Sequence, residues 1–192
     1  MKTYILLLLV SVSSFATSAN AMQESQFTDA LKIYLTAVDG DEGDVKKASD
    51  YFNKLSESEP FDIFVQTYRG SLESIMAQHV FMPWNKMKHV DAGSELMDTA
   101  LDATSEIHDT QTLGGTALSF RMKLVTAHTY FRFPKFLNRH QDAKDLVADL
   151  LESSQLENAS VETKNSLYEL AAAMAKDDDD KQKQSEFLSK IK

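Results

Sequence analysis

The sequence predicts an all-α fold built from about eight helices stacked as antiparallel hairpins, and three observations carry that expectation. Apolar residues recur at offsets of three and four over long stretches, which gives each stretch one apolar helical face. The only three prolines, Pro60, Pro83 and Pro134, all fall between such stretches, where proline ends one helix or starts the next. Six glycines and few β-branched runs leave little material for sheet.

The first residues read as an export signal rather than a helix of the fold. Lys2 supplies a positive start, Tyr4 to Val10 an apolar core too short to span a bilayer, and Ala19-Asn20-Ala21 a small-x-small cleavage site. Residues 1–21 are expected to be removed, leaving 22–192 as a single helical-repeat domain, periplasmic or secreted. No cysteine follows the cleavage site, which excludes a lipoprotein anchor. No later stretch approaches the ~20 apolar residues of a membrane span.

The expected helices cover about 25–38, 44–57, 61–80, 84–104, 110–132, 138–153, 160–176 and 180–190. The first pair is divided by Asp39-Gly40-Asp41-Glu42-Gly43-Asp44; Thr28-Asp29 can cap the first member and Asp44 the second. In the third helix Phe64, Val65, Tyr68, Leu72, Ile75, Met76 and Val80 form one apolar stripe, interrupted by Gly70. A glycine inside a helix costs about 1 kcal/mol relative to alanine, so Gly70 marks a close neighbour. Pro83 suits the first turn of the fourth helix, which carries Gly93, Met97 and Ala100. Ser160 with Thr163 marks the start of the seventh helix. Asp177 to Asp180 form an acidic linker lacking the alternating ligands and turn glycine of a calcium loop. The last helix is polar except for Phe187, Leu188 and Ile191, as the cap of a stacked array would be.

A repeat is visible in the second member of each hairpin. Ala48, Phe52, Leu55 and Pro60 have a spacing whose first three positions recur as Gly93, Met97, Ala100 and as Ala143, Val147, Leu150. This pattern resembles the tetratricopeptide-repeat class, in which a small residue, an aromatic, a second small residue and a proline occupy such positions. Gly70, ten residues after Pro60, falls where the next repeat would have its glycine. The period departs from that class: 45 residues separate Ala48 from Gly93 and 50 separate Gly93 from Ala143. The resemblance implies a degenerate, tetratricopeptide-like superhelix that binds proteins or peptides, without chemistry of its own.

Charge is unevenly distributed. The chain has 29 acidic and 20 basic residues, yet no acid lies between Thr110 and Gln141, where Arg121, Lys123, Arg132, Lys135 and Arg139 fall. Net acidity argues against a general nucleic-acid binder. The basic stretch has two readings: cations paired inside the fold, or a docking edge for an acidic partner. The second reading places a partner-binding groove beside Trp84, with Lys86, Arg121, Arg132, Lys135 and Arg139 on its basic edge. Tyr130, Phe131, Phe133 and Phe136 surround Pro134 much as Trp84 follows Pro83; such clusters staple helix turns or line a groove.

Other chemistry is sparse. His79, Met82, Met87 and His89 offer soft ligands for copper, but the Pro83 turn divides them. With no cysteine nucleophile, no Gly-x-Ser-x-Gly elbow, no His-Glu-x-x-His and no phosphate loop, no catalytic residue and no cofactor is expected. The functional expectation is an exported, non-enzymatic binding or assembly scaffold for a protein or peptide partner. The alternative is a periplasmic carrier of a small ligand or metal.

Overall fold

The computed structural model describes residues 24–59 and 62–192; the expected signal peptide and the repeat's Pro60 lie outside them. The described residues form α1 (Glu24–Val38), α2 (Glu42–Ser58), α3 (Ile63–Met76), α4 (Pro83–Asp102), the short α5 (Glu106–Thr110), α6 (Leu118–Phe131), α7 (His140–Glu152), α8 (Val161–Asp177) and α9 (Lys181–Leu188). The fold is all-α apart from a minimal hairpin of two strands, β1 (Thr112–Leu113) and β2 (Thr116–Ala117).

Successive helices pair as hairpins, α1 with α2, α3 with α4, α6 with α7 and α8 with α9. Side-chain contacts show three of these to be antiparallel. Glu73 meets His89 while Gly70 packs on Met97. Lys123 meets Asp149 while Phe131 packs on His140. Asn165 bonds the Lys192 backbone while Lys190 lies over the Tyr168 ring.

Capping fixes several boundaries. Asp41, not Asp44, caps α2, accepting from the amides of Gly43 and Asp44 at 2.8 and 3.1 Å. Asp62 caps α3 and Ser160 caps α8 in the same way. Helix α1 begins at Glu24, upstream of the expected Thr28-Asp29 cap. The acidic linker is partly engaged: α8 continues through Asp177, and Asp180 caps α9 by accepting from the Lys183 amide at 3.0 Å.

The expected helix over 110–132 is divided. Gly114 and Gly115 adopt φ of +54° and +70°, so the chain reverses between β1 and β2 before α6 begins at Leu118. A two-residue turn with both positions left-handed is the geometry that favours paired glycines. Leu113 and Ala117 are still buried, from strands instead of a helix.

The repeat positions define the packed faces of the second helices. Ala48 and Phe52 on α2, Gly93, Met97 and Ala100 on α4, and Ala143, Val147 and Leu150 on α7 are all buried, while Leu55 is half-buried. Gly70 and Gly93 meet across the α3–α4 seam. A Cβ on Gly70 would stand 2.7 Å from the Gly93 carbonyl oxygen, and one on Gly93 would stand 2.5 Å from that of Gly70. Two apolar cores result. One gathers α1, α2 and α3 around Tyr34, Phe52, Tyr68 and Leu72. The other gathers α6, α7 and α8 around Phe120, Tyr130, Leu150 and Leu167. Helices α4 and α6 serve both, through Ala100 and Met97 on α4 and Met122 and Phe120 on α6.

Candidate functional site: a groove along the first helices

The first helix of each hairpin contributes to one hollow of about 330 Å3, lined from α1, α3, α6 and α8 and from the residues just beyond α1, α3 and α6. No residue of α2, α4, α7 or α9 lines it. Its apolar walls are Leu31, Leu35 and Val38 from α1, Ile75 from α3, and Leu124 and Val125 from α6, with Phe133 just beyond. Leu35 is left exposed to solvent, as a groove wall requires.

The floor is polar and cross-linked. Tyr34 Oη of α1 lies 2.8 Å from Ser71 Oγ of α3, which lies 2.8 Å from Thr129 Oγ1 of α6. Thr129 in turn donates to the Val125 carbonyl at 2.9 Å. On the far side His128 Nε2 is 2.9 Å from Ser166 Oγ of α8. These hydroxyls join neighbouring first helices where apolar contact alone would leave them free to slide. Burial pushes the Tyr34 hydroxyl pKa up. Burial, with Arg132 adding to it, pushes the His128 imidazole down to about 4, so the ring is neutral at neutral pH.

Charge at the groove ends is balanced. At one end Arg132 donates to the Val38 carbonyl at 3.2 Å and faces Asp39 at 3.5 Å. At the other, Arg121 donates to the carbonyls of Leu113 and Gly114 at 2.9 and 3.3 Å, and Glu162 shares the lining with it.

Among the expected partner-binding residues, the hollow brings together Arg121 and Arg132 and includes none of Trp84, Lys86, Lys135 and Arg139. Within the fold three basic residues of that edge, Arg132, Lys135 and Arg139, have carboxylate partners. Lys135 pairs with Asp177 at 2.9 Å, and Lys123 with Asp149 at 3.6 Å. Arg139 pairs with Asp98 and with Asp142, and its guanidinium lies 3.9 Å from the centre of the Tyr130 ring. Four of its five cations thus take carboxylates from other parts of the fold: from α4, α7 and α8 and from Asp39 just beyond α1. The aromatic cluster divides likewise: Tyr130 and Phe133 are buried, Phe131 is half-buried, and Phe136 is 72% exposed. Trp84 is 67% exposed and Lys86 is exposed beside it.

Of the side chains considered for copper, His89 Nδ1 is taken by Glu73 at 2.8 Å, and among the described residues no three His, Asp or Glu side chains cluster as metal ligands. No helix among them is long and apolar enough to cross a membrane. Sequence reasoning missed the groove residues Leu35, Ser71 and Ser166, and it reads His128 only as a satisfied, partly buried side chain, which its contact with Ser166 bears out. Only the exposed position of Leu35, opposite the buried Tyr34–Ala37 face, could have signalled a groove wall. Compared with family models, curated proteins and solved structures, the chain matches none.

Proposed function

We propose that this chain is an exported, non-enzymatic binding module of tetratricopeptide-like type, whose groove holds a short, electrically neutral apolar segment of a partner protein. The observation that carries the reading is the lining itself: one helix from each of four hairpins and none of their second helices. Stacked hairpins offer partners such a concave face. The walls suit apolar side chains. Ser166 and the neutral His128 can exchange hydrogen bonds with a peptide backbone, and matched charges at both ends give no net preference for an acidic or basic partner. The partner preference differs from the acidic one expected of an unpaired basic edge, because Arg132, Lys135 and Arg139 already hold carboxylates.

The test is a photo-reactive residue at the exposed wall position Gln78, activated in the native envelope. The expected outcome is a discrete protein adduct that disappears when Leu35→Glu places a charge in the groove. No protein adduct, with a small molecule retained in native mass spectrometry, would instead support carriage of a small ligand. That second reading is favoured by the volume, since ~300–1,000 Å3 is usual for small-molecule sites.

A further inference from the structure

A different region, independent of the groove, carries a second binding property. Where the α3–α4 turn enters α4, four consecutive apolar residues follow one another, Phe81 and Met82 on the turn and Pro83 and Trp84 on the first turn of α4. Phe81 is 87% exposed, Trp84 67% and Met82 39%. Lys86 and Lys88 follow on the first turns of α4, exposed and without a carboxylate partner. From Ser74 to Val90 the sequence has no Asp or Glu. Phe136, on the turn between α6 and α7, stands on the same edge. Gln78 and Phe133 line one end of the same hollow, and Val90 of α4 shares a second hollow with Leu137.

We propose that this edge docks on an anionic lipid bilayer, with Phe81, Met82 and Trp84 inserted at the headgroup level and Lys86 and Lys88 on the lipid phosphates. Shape argues for a bilayer over a protein. Phe81, Met82 and Trp84 are exposed around one chain reversal and line none of the main hollows, so they offer protruding and not concave contacts. A lipid interface accepts single aromatic side chains, and tryptophan is enriched there because its ring is apolar and its N–H is not. Lysine stems can lie along the apolar layer while the ammonium reaches the phosphates.

Charge complementarity gives the second argument. The chain as a whole is at −9, which an anionic surface repels. On the neighbouring turns several carboxylates are matched, Asp39 by Arg132, Glu42 by Lys46, Asp177 by Lys135 and Asp178 by Lys144, while Asp41, Asp44 and Asp179 take no cation. Fields beyond about 8–10 Å are screened at physiological salt, so contact is governed by the charges at the tip itself, where Lys86 and Lys88 lie in a stretch without acids. Repulsion of the remaining molecule then orients the tip toward the membrane.

Trp84 is the chain's single tryptophan, so its fluorescence reads this site alone. The mature protein is titrated with vesicles of equimolar phosphatidylglycerol and phosphatidylcholine, and with pure phosphatidylcholine. The expected result is a blue shift with the anionic vesicles, quenched when the acyl chains are brominated and reduced by added salt. Lys86→Glu with Lys88→Glu should weaken binding by at least about tenfold at unchanged circular dichroism, since each basic residue near such a surface contributes roughly 1 kcal/mol. Phe81→Ser, which removes only an exposed ring, should weaken it as well. An emission spectrum that anionic vesicles leave unmoved overturns the proposal. Flotation with vesicles while Trp84 remains unquenched also overturns it, because another surface is then responsible. A photo-reactive residue at position 81 that captures protein and no lipid in the native envelope replaces the bilayer with a protein interface.

Discussion

Among the described residues two long stretches exclude acids, and the fold treats them in opposite ways. Between 110 and 141 each cation is tied to a neighbouring element: Arg121 to the β-hairpin backbone, Lys123 to α7, Arg132 to the end of α1, Lys135 to the end of α8, and Arg139 to α4. Between 74 and 90 the lysines stand free beside exposed aromatic side chains. The difference is one of position. Helix α6 runs between the two cores and touches α3, α4, α7 and α8, so cations on it and on the turn that follows meet carboxylates on several sides. Lys86 and Lys88, just past the α3–α4 turn, meet none. A local excess of positive charge therefore marks a structural hub in one place and a contact surface in the other.

The largest expected effect comes from inverting the hub. Arg132→Glu, Lys135→Glu and Arg139→Glu together set carboxylates against Asp39, Asp177 and Asp98. Exposed pairs contribute up to about 1 kcal/mol each and partly buried ones more, so a loss of about 2–4 kcal/mol is expected. Thermal unfolding should show it as a fall of roughly 5–15 °C. An unchanged melting temperature would mean that the hub's pairs are incidental and that its cations are as available as those of the tip.

Next in size is the seam on which the tip is mounted. Gly93→Leu drives a side chain against the α3 backbone and should cost about 1–3 kcal/mol by overpacking. Hydrogen exchange should accelerate in α3 and α4 before α7 and α8. Uniform acceleration would show that hub and tip unfold as one unit.

A smaller effect is tied to pH. His128 has a folded pKa of about 4 against the 6.5 of an unfolded chain. Above 6.5 both states are neutral. As pH falls below 6.5 the unfolded state takes up a proton that the folded state refuses, so stability is lost progressively down to about 4. The ring is only half-buried, which limits the loss to about 1–2 kcal/mol. Chemical denaturation at pH 7 and 5 should show it, and His128→Gln should remove that component. The smallest effect belongs to the tip: Lys86→Glu with Lys88→Glu should alter stability by less than about 0.5 kcal/mol, since neither lysine has a partner to lose.

What the sequence disclosed follows the range of the interactions concerned. Helix positions depend on apolar spacing, prolines and caps, which are local, so the helices were legible to within a few residues, as were the buried Gly93-Met97-Ala100 and Ala143-Val147-Leu150 faces. The exception lies at 106–117. There Leu113, Ala117, Phe120 and Leu124 keep helical spacing although the first two sit on strands. Gly114-Gly115 was the available signal and was outweighed by that periodicity. The fates of Arg132 and Arg139 depend on Asp39 and Asp98, remote in sequence, which no charge run can announce. The groove was hidden for the same reason, being assembled from four helices spread over the chain.

The Gly70–Gly93 contact has a mechanical side. Where helices touch through side chains, rotamers yield and the seam is compliant. Where backbone lies on backbone, nothing can yield, so α3 and α4 behave as one stiff bar. That bar holds Ser71 and Ile75 in the groove at one point and Phe81 to Trp84 at its end. A load applied at its end is thus delivered to the groove floor as a tilt rather than absorbed along the way, and the Tyr34–Ser71–Thr129 hydroxyl contacts are the joints at which that tilt would be felt.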